Sequence, residues 1–245
     1  MKKILVAVSL LAASALLPAR AAPMFMTFGP LPAATFSGTG IPNDAVAIEI
    51  VELNLTGNAP ITLTLGLTAT QRFSAPAVTN DGAGTFFATP GTGGGAGLWN
   101  FDYFIGVDGG TLGDLTNLLN ALVLRYDFDP GPGTDFGTLD FFNIINGLGL
   151  AGDATLQDSQ NMTFGFLTNG SLSFISPPAG SFNPNIGGLY SFELLASEIP
   201  GNNGFSAQHL VSIDVQVVPE PAALALFAFG LIGIGAIRRR RRQTA

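Results

Sequence analysis

The chain has 245 residues, of which 47% are hydrophobic and 11% are charged, and it contains no cysteine. Residues 22–218 hold two basic side chains, Arg72 and Arg125, against 16 acidic ones, which gives this stretch a formal net charge of −14. Such a body repels nucleic acid and anionic lipid. The missing cysteine excludes disulfides, zinc–thiolate sites and cysteine nucleophiles, and the length suffices for one domain with its own core.

The N-terminus has the three parts of a secretory signal peptide. Two lysines precede a mostly apolar run over residues 4–17, and the small residues Ala19 and Ala21 stand at the −3 and −1 positions of a cleavage site. The apolar run is shorter than the ~20 residues that a membrane helix needs. The sequence therefore predicts that the export machinery takes up the chain and that signal peptidase removes residues 1–21, leaving Ala22 first.

The next stretch, residues 22–218, alternates apolar and polar residues with a period of two and has no strong helical periodicity. Glycine-, proline- and asparagine-rich turns separate the alternating runs. The runs lie at 61–70, 99–108, 122–128, 190–196 and 207–217. This pattern predicts an all-β ectodomain, an antiparallel β-sandwich. A short helix is expected from Phe141, a long loop over 75–97, and a core position for Trp99, which is the only tryptophan.

His209, the only histidine, lies on the apolar face of the last predicted strand. Any Ser-His-Asp arrangement would have to use it, and no Gly-x-Ser-x-Gly motif surrounds a serine. We therefore interpret His209 as a histidine at the edge of the core and expect no enzymatic activity. An extracellular hydrolase built on a carboxylate pair remains an alternative, although 16 acids place some pairs close together by chance.

Three acids surround a glycine- and proline-rich turn near the middle of the chain, namely Asp127, Asp129 and Asp135. Oxygen-rich side chains around such a turn suit a hard cation such as Ca²⁺, although the order does not fit an EF-hand loop. A solvated turn explains the same residues equally well. A Ca²⁺-dependent or lectin-like carbohydrate-binding module is thus an alternative function, and no other cofactor is expected.

The C-terminus combines three features. Pro219, Glu220 and Pro221 are followed by 16 uncharged residues at 222–237 and then by a cluster of arginines. The cluster consists of Arg238, Arg239, Arg240, Arg241 and Arg242. A helix over 222–237 would cover about 24 Å of a ~30 Å hydrocarbon core. The arginines stop translocation and hold that end in the cytoplasm, so the sequence predicts a single membrane helix.

In this order, at the end of a chain with a signal peptide, these features resemble the PEP-CTERM sorting signal. The resemblance implies that exosortase, an integral-membrane transpeptidase, recognises Pro219, Glu220 and Pro221 and removes the anchor near them. It also implies an exported protein that is held transiently at the inner membrane and then reaches the cell surface or extracellular matrix. The partners it implies are exosortase and, in a biofilm, exopolysaccharide. The expected organisation is a signal peptide at 1–21, an ectodomain at 22–218 and a sorting segment at 219–245.

Overall fold

The computed structural model describes residues 22–54, 60–131, 134–200 and 207–218. Within these ranges the chain forms fourteen strands and three short helical segments. The strands are β1 (Thr27–Gly29), β2 (Val46–Leu53), β3 (Ile61–Gln71), β4 (Thr79–Asn80), β5 (Thr85–Ala88), β6 (Thr92–Gly93), β7 (Ala96–Gly97), β8 (Trp99–Asp108), β9 (Leu119–Asp127), β10 (Phe136–Asp140), β11 (Thr155–Gln160), β12 (Ile175–Ser176), β13 (Gly188–Glu198) and β14 (Gln208–Val217). The helical segments are a 3-10 helix (Leu112–Asn117), α1 (Phe141–Gly147) and α2 (Gly165–Asn169).

Most of the strands belong to two sheets. The first sheet has the order β1-β2-β3-β8-β11, and the second has the order β12-β10-β9-β13-β14-β5-β4. All pairs are antiparallel except β14 with β5, which is parallel. The prediction of an all-β fold is confirmed. The expectation of a wholly antiparallel sandwich is wrong at β5, because this strand pairs with a segment more than a hundred residues away that sequence alternation cannot identify.

The inner faces of the two sheets meet in an aromatic core. Phe101 of the first sheet stacks on Phe192 of the second, with ring centroids 4.7 Å apart. The ring centroid of Phe101 is also 6.4 Å from that of Tyr126. Trp99 is 3% exposed and meets the edge of Phe192 at 6.1 Å. Such rings bury large apolar areas and add favourable edge and face contacts. The predicted core position of Trp99 is therefore confirmed.

The five alternating runs correspond to the five longest inner strands, β3, β8, β9, β13 and β14. Their alternation is strong because one face of each strand packs in the core. On β8 the opposite face is mostly buried as well, with Phe104 in a second, smaller cluster. The predicted helix at Phe141 is also present as α1. It begins after Asp140, whose Oδ1 accepts a hydrogen bond from the Asn143 amide at 3.2 Å. A carboxylate in this N-cap position satisfies an otherwise unpaired helix donor.

Residues 75–97 do not form the long loop that the sequence predicts. They contain β4, β5 and the small hairpin of β6 and β7. Phe86 is buried in the core, whereas Phe87 points outward. The hairpin turns at Gly94 and Gly95, whose φ angles of 60° and 84° suit a two-residue turn that only glycine adopts easily. These strands are too short to give a periodic signal.

The first described segment, residues 22–29, joins the two sheets along one side. Met24 donates its amide to Ser212 Oγ at 2.7 Å, and the Ser212 amide donates to the Met24 carbonyl at 2.7 Å. Two residues later, Met26 donates to the Ile48 carbonyl at 2.9 Å, and β1 continues along β2. The segment therefore leaves β14 of the second sheet and enters the first sheet.

No helix in the described ranges is both long enough and apolar enough to cross a membrane. The predicted signal helix at 1–21 and the predicted membrane helix at 222–237 both lie outside these ranges.

Candidate functional site

The acidic turn predicted as a cation site uses its carboxylates to hold the backbone. Asp127 Oδ1 accepts the Asp129 amide at 2.8 Å, and Asp129 Oδ1 accepts the Gly131 amide at 2.8 Å. Asp135 Oδ2 accepts the Ala179 amide at 3.1 Å. Across the described ranges, no group of three or more histidine or acidic side chains is placed to hold a metal ion. The geometry therefore gives the calcium prediction no support.

His209 lies at the edge of the core between two glutamates. Its Nε2 is 2.8 Å from Glu198 Oε1 of the second sheet, and its Nδ1 is 4.0 Å from Glu49 Oε1 of the first sheet. The side chain is 16% exposed, as expected for a histidine at a core edge. The imidazole is thus within hydrogen-bond distance of Glu198, whereas Glu49 lies at the limit of ion-pair distance.

Two adjoining concavities of about 460 and 400 Å³ open where β3 ends, and both are lined by Arg72 and Phe73. We call them together the Arg72 groove. Its walls are built from parts of four separate stretches, 36–42, 70–76, 93–100 and 158–164. The groove is thus assembled by the tertiary fold from residues that are far apart in the sequence.

The Arg72 guanidinium is held by aromatic rings. Its Cζ lies 5.1 Å from the Phe73 ring centroid and 5.5 Å from that of Phe164, within the range of cation–π attraction. Its Nε is buried and has no hydrogen-bond partner within the described part of the chain. Phe73 itself is 85% exposed, so a large apolar ring lies open to solvent beside the cation.

Backbone strain is concentrated around the same groove. Phe36, Ser37 and Phe73 have φ angles of 49°, 58° and 50° and are the non-glycine residues with positive φ in the described ranges. All three line the groove. This conformation is unfavourable for bulky L-residues and tends to occur where the surrounding structure requires a particular side-chain position.

One wall of the groove is polar and is fixed by hydrogen bonds. The fully buried Asn161 donates from Nδ2 to Asn100 Oδ1 at 2.7 Å, and Asn100 Nδ2 donates to Ser159 Oγ at 2.8 Å. Asn161 also donates to the carbonyls of Gly97 at 3.0 Å and Trp99 at 2.8 Å. The amide and hydroxyl groups that face the groove therefore have fixed orientations.

The strand that carries Asn100 of this wall, β8, also carries a buried carboxylate. Asp102 is fully buried, and its Oδ2 accepts a hydrogen bond from Thr70 Oγ1 at 2.8 Å. Its Oδ1 has no hydrogen-bond partner in the described ranges. Burial raises the pKa of Asp102 to about 7, the neighbouring hydroxyls of Ser159 and Thr70 oppose the rise, and the charge of Asp158 adds to it. Burial likewise raises the pKa of Asp158.

Sequence reasoning did not identify the Arg72 groove. No spacing rule connects residues as distant as Ser37, Arg72, Asn100 and Ser159, since the sheet topology alone brings them together. One signal was nevertheless available, because Arg72 is one of two cations in a body that carries 16 acids.

The predicted sorting residues begin where the described structure ends. β14 ends at Val217, and the Val218 amide donates to the Ala88 carbonyl at 2.9 Å. The predicted sorting motif (Pro219, Glu220, Pro221), the arginine cluster (Arg238, Arg239, Arg240, Arg241, Arg242) and the signal-cleavage residues (Ala19, Ala21) lie outside the described ranges.

A family model described as the PEP-CTERM protein-sorting motif matches residues 217–242. The chain carries a PEP-CTERM sorting motif. This confirms the resemblance seen in the sequence, and it marks the chain as an exported exosortase substrate that passes by way of the membrane to the cell surface. No curated protein and no solved structure matches the chain. The PEP-CTERM motif therefore assigns the route of the protein, and the groove must be interpreted from its own chemistry.

Proposed function

We propose that this chain is a non-enzymatic protein of the cell surface or extracellular matrix, placed among exopolysaccharide in a biofilm. Signal peptidase removes residues 1–21, exosortase recognises Pro219, Glu220 and Pro221, and the segment that follows is a temporary inner-membrane anchor. The observation that carries this proposal is the PEP-CTERM match over residues 217–242.

The end of β14 supports recognition of an accessible triplet. Val217 is the last residue of a strand inside the second sheet, and Val218 is 41% exposed. Proline has no amide hydrogen and a fixed φ, so Pro219 and Pro221 cannot extend the sheet. The recognition residues therefore start one residue beyond the last hydrogen-bonded position of the folded body.

The proposed absence of enzymatic activity is supported by the placement of the reactive side chains. His209 contacts two glutamates at the core edge, which is not an arrangement that activates a hydroxyl nucleophile through a base and an acid. Asp102 is the carboxylate whose pKa lies near neutrality, but it is fully buried and cannot reach a glycosidic oxygen. The geometry therefore favours a binding or structural role over the hydrolase alternative.

Alanine substitution of Pro219, Glu220 and Pro221 together tests the sorting proposal in a bacterium that has exosortase. The wild-type chain should be recovered from the cell surface without its C-terminal anchor, and intact-mass measurement should show a mature N-terminus at Ala22. The triple variant should retain the anchor and remain in the membrane fraction.

The double variant Gln243→Ala with Thr244→Ala is the matched control, because these residues follow the matched stretch 217–242. It should be processed like the wild type. Normal processing and surface location of the triple alanine variant would contradict the proposal.

A further inference from the structure

One of the two arginines in this strongly acidic body has no acidic partner among the described residues. Of the two cations in residues 22–218, Arg125 pairs with Glu193, with Nη1 3.2 Å from Oε2. Arg72 has no ion pair or hydrogen bond from its guanidinium to any described residue, and it contacts the Phe73 and Phe164 rings instead. With 16 acids on the same body, leaving one guanidinium unpaired keeps the donors on its two Nη nitrogens, which unlike Nε are not buried, available to a ligand.

The position of Arg72 limits the shape of that ligand. Both concavities of the Arg72 groove include Arg72 and Phe73, so the cation and the exposed ring lie on the ridge between them. An extended ligand can therefore pass over the ridge and occupy both sides. A planar guanidinium suits a carboxylate, which it can bind through two parallel hydrogen bonds.

The walls of the groove indicate further features of the ligand besides a negative charge. Phe73 is 85% exposed and offers a flat apolar surface to a ring with C–H groups on one face. Asn100 and Ser159 present amide and hydroxyl groups whose orientations are fixed by their mutual bond and by Asn161. The Asp158 carboxylate lines the same wall and can accept hydrogen bonds from ligand hydroxyls. Side chains that both donate and accept match ligand hydroxyls, which also do both.

We propose that the Arg72 groove binds an acidic saccharide, with a sugar carboxylate on Arg72, a sugar ring face on Phe73, and sugar hydroxyls on the wall formed by Asn100, Asp158 and Ser159. This inference deepens the proposed function, since it names a class of extracellular ligand for the exported body. An acidic peptide would satisfy Arg72, but it offers no set of hydroxyls to the polar wall. A neutral saccharide would leave the guanidinium without an anionic partner.

Trigalacturonate is a suitable probe, and its methyl ester is the matched neutral ligand with the same rings and hydroxyls. Binding is measured by titration calorimetry with the purified full chain in detergent. We expect the acid to bind at least about tenfold more tightly than the ester, because a hydrogen-bonded charge pair is lost in the ester.

Three variants locate the binding site. Arg72→Gln should weaken binding of the acid at least about tenfold, since it removes the charge but keeps a polar side chain. Phe73→Ala should weaken binding of the acid and of the ester by a similar factor, and because the ring is 85% exposed its removal should leave the fold intact. Arg125→Gln removes the other cation of the body and should bind like the wild type.

Equal affinity for the acid and its ester would overturn the proposal, as would wild-type affinity in Arg72→Gln. Tighter binding of hexaglutamate than of trigalacturonate would assign the groove to acidic peptides instead. The measurement needs no exosortase, so failure to bind leaves the sorting proposal intact. Conversely, a chain that is not sorted by its tail can still bind the saccharide.

Discussion

Asp102 is a carboxylate for which the folded structure is an unfavourable environment. It is fully buried, has one oxygen bonded to Thr70, and has a second oxygen without a partner in the described ranges. A buried charge without full hydrogen bonding costs free energy unless the group takes up a proton. The pKa of about 7 expresses that cost and makes stability depend on pH.

The sign of this pH dependence follows from the pKa values of Asp102 in the unfolded and in the folded chain. Between the ordinary value of 3.8 and about 7, the folded state keeps a proton on Asp102 that the unfolded chain has released. The Asp102 contribution to the free energy of unfolding therefore falls as pH rises through this window and is constant above it. Each pKa unit corresponds to ~1.4 kcal/mol, so the total fall is on the order of 4 kcal/mol.

Asp102→Asn should remove this fall, because the amide stays neutral and its oxygen can still accept from Thr70. Urea unfolding at pH 4 and pH 8 measures the effect as a gain in stability of the variant over the wild type that increases with pH. Asp108→Asn, which removes an exposed carboxylate from the same strand, controls for the change in net charge. A constant difference between Asp102→Asn and the wild type across this range would contradict the explanation.

At the scale of elements, Gly137 of β10 lies so close to the backbone of Ser176 and Pro178 that a larger residue does not fit there. A Cβ added at Gly137 would lie 2.6 Å from the Pro178 nitrogen and 2.8 Å from the Ser176 carbonyl oxygen. Both are backbone atoms and cannot rotate away. Strand β10 lies between β12 and β9 in the second sheet, so a shift there would disturb two ladders.

Gly137→Ala is therefore expected to lower the free energy of unfolding by about 1–3 kcal/mol, as other overpacked positions do. Gly152→Ala is the control, because a Cβ there has no heavy atom within 4 Å. The midpoints of urea unfolding of the two variants and the wild type measure this difference in stability. Equal midpoints for the two variants would show that the 176–178 segment moves aside at no cost.

How much of the fold is predictable from sequence differs between elements. Strands such as β3 and β8 are long, have one face in the core, and alternate strongly, so their positions follow from the sequence. β5 has four residues, and its parallel partner β14 is set by the global topology. The same limit applies to the site, since Arg72 and Phe164 meet only after β3 and α2 are placed by the sheets. The sorting motif is contiguous, which is why it was recognisable without a structure.

At the scale of the whole molecule, β14 holds the two parts of the second sheet together. It lies between β13 and β5, and its buried residues Val211, Ile213, Val215 and Val217 belong to the central core. Removing it would expose an apolar face and separate β5 and β4 from the rest of the sheet.

Deletion of residues 208–245 should therefore prevent cooperative folding, whereas deletion of 219–245 should leave the stability of the body close to that of the full chain. Circular dichroism during thermal unfolding distinguishes these results. A cooperative transition after deletion of residues 208–245 would mean that β13 and β5 can pair without β14. Loss of the transition after deletion of residues 219–245 would mean that the sorting segment contributes to the fold.

The hydrogen bonds between Met24 and Ser212 have a consequence for the order of events during secretion. The first part of the ectodomain to emerge outside the cell must wait for nearly the last part before its pairing is complete. That last part is followed within a few residues by Pro219, and further on by the arginines that are predicted to halt translocation. On the proposed route, the arginines would therefore stop the chain only after β14 has crossed the membrane, and exosortase would meet its recognition triplet on a body that is able to complete its pairing.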